Sequence, residues 1–156
     1  MKTELILVGK TNDKHFQAGI DDYCQRIGHY MPFSVTVIPE LKNTKSLSFQ
    51  QQKEREGEMI LAKLQSSDHV VLLDEHGKDF RSVEFARWIE QKNASVRRLV
   101  FVIGGPYGFS EAVYSRANEK ISLSKMTLSH QMVRLVFVEQ IYRACTIIKG
   151  EPYHHE

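Results

Sequence analysis

No stretch of this 156-residue chain approaches the roughly 20 consecutive apolar residues that a membrane-crossing helix needs. The opening MKTELILVGK has too short an apolar run, and no cleavage pattern, for a secretory leader, so a soluble cytoplasmic protein is expected. Cysteine is scarce. Cys24 and Cys145 lie in apolar, helix-like surroundings without CxxC spacing, and read as reduced core thiols rather than a disulfide or metal site. His76 beside Asp74 lacks the further ligands that a metal requires, so no metal is expected. Charge of one sign is also missing: 21 Lys and Arg against 19 Asp and Glu give a net +2, whereas a protein that grips isolated nucleic acid by charge alone is clearly basic. Neither a P-loop ending in lysine and serine or threonine nor a dinucleotide fingerprint occurs, which argues against ATP and NAD. No internal repeat or low-complexity segment is present.

What is present is an alternation of short apolar runs and helical periodicities. With 42% hydrophobic residues the chain suits one buried core and is too short for two ordinary domains, so a single domain over 1–156 is expected. Glu4 to Val8 reads as a strand ended by Gly9, and Asp13 as the N-cap of a helix carrying Phe16, Ile20, Tyr23 and Ile27. Ser34 to Ile38 is β-branched and alternating, and Ser48 to Leu64 reads as a helix. His69 to Leu73 is a buried strand closed by a polar turn, Asp74 to Lys78. Ser82 is positioned to cap a helix with Phe85, Ala86, Trp88 and Ile89, and Leu99 to Ile103 forms the next interior strand. The alternation predicts an α/β fold, a mostly parallel sheet with helices on both faces.

Gly104-Gly105-Pro106-Tyr107-Gly108 follows the Leu99 strand, at the kind of strand end where open α/β sheets place ligands. Read alone, these glycines fit a structural turn as well as a ligand loop, and Pro106 removes an amide that a phosphate cradle would use. The run Leu123, Ser124, Lys125, Met126, Thr127 and Leu128 mixes small hydroxyls with apolar side chains and suits a flat apolar ligand read by backbone groups. From Ser129 to about Lys149 comes a helix whose Val133, Leu135, Val136, Phe137, Val138, Ile141, Tyr142, Cys145, Ile147 and Ile148 cover more than one stripe. Such a helix needs a second partner, and a two-fold homodimer through it is expected; the alternative is a helix sandwiched inside one subunit. Arg97, Arg98, Arg116, Lys120, Lys125, Arg134, Arg143 and Lys149 crowd the last third, as one basic face or as ordinary solvated charge. His130 is equally a first-turn structural residue or a functional one, and composition slightly favours an exposed tail for Glu151-Pro152-Tyr153-His154-His155-Glu156, the alternative being a tail folded over a site.

IGGPYGF, SLSKMTLSHQMVRLVFVEQIYRA and the PYHHE ending closely resemble the bacterial ribosomal RNA large-subunit methyltransferase H family, small SPOUT-class enzymes. The resemblance runs along essentially the whole chain, through LILVGK, KEREGEMILAKL and LLDEHGK. It implies an S-adenosylmethionine-dependent cytoplasmic homodimer that methylates N3 of a pseudouridine in a 23S rRNA stem-loop on the assembled ribosome. It also implies a deep C-terminal trefoil knot, which general topology rules would advise against. The family's cofactor positions match Leu73, Gly104, Leu123, Ser124, Lys125, Met126, Thr127 and Leu128. Two positions depart: Ser129 stands where the family often has proline, and His155 where it often has Arg or Lys, which removes a fixed positive charge from the tail.

For that reaction Arg143, with Arg134 as a second basic candidate, suits stabilisation of a developing imide anion, and Tyr153 and His154 suit proton handling and contact with the base. One subunit's tail is then expected to complete the other's pocket. The competing readings are a non-catalytic, dimeric RNA-binding or ribosome-associated module, and an enzyme for another nucleotide cofactor.

Overall fold

The computed structural model describes residues 1–156. Five strands, β1 (Lys2–Val8), β2 (Phe33–Ile38), β3 (His69–Asp79), β4 (Arg98–Ile103) and β5 (Glu119–Ser122), form one sheet in the order β2-β1-β4-β3-β5. Every pairing is parallel. The helices are α1 (Lys14–Ile27), α2 (Phe49–Leu61), α3 (Ser82–Ser95), α4 (Glu111–Arg116) and α5 (Met132–Lys149). Because β1, β3 and β4 are covered on both faces, their apolar runs are continuous rather than alternating. Leu5, Leu7, Val71, Leu99 and Phe101 face a core shared with α1, α3 and α5. Ile6, Val8, Val70, Leu72, Val100 and Val102 face the opposite core, shared with Ile60 of α2 and Val113 of α4.

Local chemistry sets the helix starts. The Asp13 carboxylate accepts from the amides of His15 and Phe16 at 2.8 and 3.2 Å. Ser48 and Gln51 form a reciprocal capping box at the start of α2. For α3 the cap lies one residue earlier than Ser82: the amide of Arg81 donates to Glu84 Oε1 at 2.8 Å. The Ser82 hydroxyl instead donates to Gln140 Oε1 at 2.9 Å and ties α3 to α5. α5 starts at Met132, whose amide is held by Ser129 Oγ at 3.0 Å, and ends at Gly150, whose φ of +71° suits glycine.

Two further expectations are corrected. Asp74 to Lys78 is not a turn closing the strand: β3 continues to Asp79, and after a shift of register Lys78 and Asp79 pair with Ile121 and Ser122 of β5. Of the two alternatives for the basic residues of the last third, a shared basic face fails for three of them. Arg98 is tied to Glu4 and Asp68, Arg143 to Glu139, and Arg134 is fully buried, donating to the carbonyls of Val8 and Gly9, each at 2.8 Å, and to Thr11 Oγ1 at 3.0 Å. Arg134 therefore caps the end of β1 and is not available to a substrate.

Candidate active site

A cleft of about 840 Å³ opens beyond the ends of β4 and β5 and beside the middle of β3, where that strand shifts register. The turn after β4 approaches other groups so closely that side chains are excluded. A Cβ on Gly104 would lie 2.9 Å from the Phe109 ring, and one on Gly105 would lie 2.8 Å from the buried Glu56 carboxylate. Gly108, at φ +83°, turns the backbone out of the loop. Beyond β5, Ser122 Oγ donates to the Ser124 carbonyl at 3.1 Å, and Ser124 Oγ accepts from the Met126 amide at 2.9 Å. These short-range bonds shape the loop.

Leu73, Gly104, Leu123, Ser124, Lys125, Met126, Thr127 and Leu128 all line this one cleft, although they come from three separate segments. Lys53, Asp74, Glu75, His76, Tyr107, Tyr114 and His130 line it as well; the sequence left Tyr107, in the glycine turn, and His130 open as functional candidates and assigned the other five no role in binding this ligand. The signal for Asp74 to His76 was their place at a strand end; Tyr114 lies on a six-residue helix too short to leave a periodicity. Asp74 accepts from the amide of His76 at 2.8 Å and from the Tyr114 hydroxyl. Burial, and then that carboxylate, push the Tyr114 hydroxyl up to about 12, so it remains a donor at neutral pH. A smaller groove of about 420 Å³ beside it, reaching Asn118, Glu119 and Lys120, shares Asp74, His76 and Tyr114.

Arg143, Tyr153 and His154 are brought together, but elsewhere. Arg143 donates to Glu139 Oε1 from Nε at 3.1 Å and from a terminal nitrogen at 2.5 Å. Its other terminal nitrogen lies 3.1 Å from His154 Nδ1, and its guanidinium sits 4.8 Å from the centre of the Tyr153 ring. Arginine has no lone pair to offer, so Nδ1 accepts and His154 carries its proton on Nε2, which is buried, makes no hydrogen bond and lies 3.9 Å from Glu156 Oε1. Tyr153 donates to Glu139 Oε1 at 2.9 Å. Burial, with Tyr23 and Glu139 as neighbours, raises its hydroxyl well above the ordinary tyrosine range. The tail is packed only at its middle: Tyr153 and His154 are half-buried, with Tyr153 meeting Tyr142 edge to face at 4.8 Å, while Glu151, Pro152, His155 and Glu156 are exposed, as composition suggested. None of the three lines the cleft. Val133 does, and the ten residue steps from Val133 to Arg143 span roughly 15 Å of helix axis.

The remaining placements are brief. Both cysteines are free thiols pushed up to about 11 by burial, which keeps them protonated and unreactive at neutral pH. No group of three or more His, Cys, Asp or Glu side chains converges as a metal site, and no helix is long and apolar enough to cross a membrane.

Residues 1–154 match the family model described as "Predicted SPOUT methyltransferase". The chain is 65% identical to the ribosomal RNA large subunit methyltransferase H of Bacteroides fragilis, 63% to that of Phocaeicola vulgatus and 55% to that of Flavobacterium johnsoniae, each time covering 100% of both proteins. The α/β sheet, the glycine turn that frames its cleft and these full-length identities agree: the chain belongs to the SPOUT methyltransferase family, among the ribosomal RNA large subunit methyltransferase H proteins.

Proposed function

We propose that this protein is an S-adenosylmethionine-dependent methyltransferase that modifies N3 of a pseudouridine in a 23S rRNA stem-loop on the assembled ribosome, acting in the cytoplasm as a homodimer. The observation that carries the reading is the convergence of Leu73, Gly104 and Leu123 to Leu128 on one cleft. That cleft fits the cofactor. Its volume falls within the usual range for small-molecule sites, its walls include Leu73, Ile103, Leu123, Leu128 and Val133, and Asp74 and Glu75 supply negative charge suited to a cation. In this reading backbone groups of 122–128 meet the edge of the adenine ring. Bound there, S-adenosylmethionine supplies an electrophilic methyl group.

The protein's own task is to hold a weakly acidic imide in line and to stabilise its anion. Arg143, the Nε2–H of His154 and the Tyr153 hydroxyl are all donors, so together they suit the oxygens of a base losing its N3 proton. The raised Tyr153 hydroxyl suits it as a donor to the base more than as the proton acceptor. A hydrogen bond to the extra ring N–H of pseudouridine would reject uridine. Within one subunit this donor cluster lies away from the cleft, which supports completion of each site by a second copy's tail. α5 packs against α1 and α3, burying Phe137, Val138, Ile141 and Cys145. Val133, Leu135, Val136, Tyr142, Ile147 and Ile148 keep exposed surface for that copy.

Removal of residues 151–156 tests the assignment. The truncated protein is expected to bind S-adenosylmethionine in calorimetry as the full chain does, and to lose methyl transfer by about 100-fold or more. Undiminished transfer would remove Tyr153 and His154 from the active site.

A further inference from the structure

Six large hydrophobic side chains are conspicuously exposed: Val37, Phe49, Tyr107, Tyr114, Met126 and Ile148. Tyr107, Tyr114 and Met126 line the cleft, and Phe49 stacks on Tyr107, so four of the six gather at one mouth instead of scattering over the surface. Scattered apolar residues need no explanation, but a group at the rim of a binding cleft does. Phe49 and Tyr107 are the stacked pair within this group. Their ring centres are 4.2 Å apart and their planes 19° from parallel, although they sit on different elements, the first residue of α2 and the glycine turn after β4. Phe49 is nonetheless 65% exposed and Tyr107 40% exposed. The stack covers one face of each ring and leaves outer faces in solvent. Lys53, one helical turn beyond Phe49, lines the same cleft, and Lys125 lies on the loop after β5.

Resting on the reading of the cleft as a methyl-transfer site on RNA, we propose that the Phe49–Tyr107 pair is a stacking platform for an unpaired base flanking the target nucleotide. Every base has a flat face that an aromatic ring accepts, so the platform holds the strand without reading its sequence, and a lysine beside it meets the phosphate. A loop nucleotide must be splayed out of its stack to reach a buried methyl donor, and the platform replaces the stacking that its neighbour loses. Rigid attachment matters here. Gly105, two residues before Tyr107, packs against Glu56 of α2, so the turn and the helix present the two rings as one unit.

The test compares the wild-type protein with Phe49→Leu, which keeps an apolar side chain and removes the ring, and with Phe49→Trp, which restores a ring. Phe49 does not line the cleft, so calorimetric affinity for S-adenosylmethionine is expected to stay within twofold in both variants. With ribosomes lacking the modification, kcat/KM is expected to fall about 5- to 100-fold for Phe49→Leu and to recover for Phe49→Trp. Loss of cofactor affinity with unchanged ribosome dependence would make the pair a cover for the cofactor and overturn the proposal. Unchanged values for both would reduce it to a surface clasp and overturn it too. If the wild type transfers no methyl group, co-sedimentation with ribosomes decides separately: weaker binding of Phe49→Leu upholds the platform while the reaction is discarded, and equal binding overturns the platform as well.

Discussion

Gly77 is the position where a single atom would do most damage. A Cβ there would lie 2.5 to 2.7 Å from the main-chain N, Cα and C of Ile121, and backbone cannot rotate aside as a side chain can. The residue occupies the stretch where β3 shifts register against β5, immediately after Asp74 to His76 on the cleft wall. Gly77→Ala is expected to cost about 3 kcal/mol, the upper end for forced overpacking, measured by urea unfolding, and to weaken S-adenosylmethionine binding. Nothing about Gly77 is visible in sequence beyond a glycine in a polar pentapeptide. Arg134 carries the same lesson: in sequence it reads as a basic candidate for the substrate or as surface charge, and only the placement of the β1 carbonyls reveals why a guanidinium is buried there. Residues whose role depends on a neighbour brought close by the fold leave no periodic trace.

Elements fared according to how locally they are determined. β1, β2 and β4, with α1, α2 and α5, were legible because apolar runs, helical spacing and the Asp13 and Ser48 caps act within a few residues. The second half of β3 was not, because its polar residues become a strand only by pairing with β5, and α4 was not, because six residues complete too few turns. The eight cofactor-loop residues came from family resemblance joined to the strand-end rule, whereas Glu139, which organises Arg143 and Tyr153, was missed despite standing one turn before Arg143. Glu119 shows how such elements are joined: it accepts from His69 of β3 at 2.5 Å and from Trp88 and Lys92 of α3 at 3.1 and 2.9 Å. Burial would raise its carboxyl, but these partners together outweigh burial and hold it below its ordinary value near 4.5. A carboxyl lowered on folding stabilises the fold above its unfolded value and loses that contribution as pH falls through the folded one. Glu119→Gln is therefore expected to melt a few degrees lower than wild type at pH 7, with the deficit shrinking below pH 4.5. A deficit that stays constant down to pH 3 would show that charge is not its source.

For the molecule as a whole, the donor cluster on α5 and the tail, and the cleft at the strand ends, are separate within one chain and chemically complementary. The threading that the family resemblance implies has no counterpart in periodicity, since a path through a loop is not a property of any local segment. Nearly balanced charge suits a substrate presented by a large particle more than capture of free RNA. Transfer of a labelled methyl group from S-adenosylmethionine to ribosomes lacking the modification, run beside ribosomes whose target uridine has not been pseudouridylated, tests all of this together. Label in large-subunit RNA of the pseudouridylated sample alone is the expected result. No label in either sample, with an active relative labelling the same ribosomes, would contradict it and leave a ribosome-binding module without chemistry.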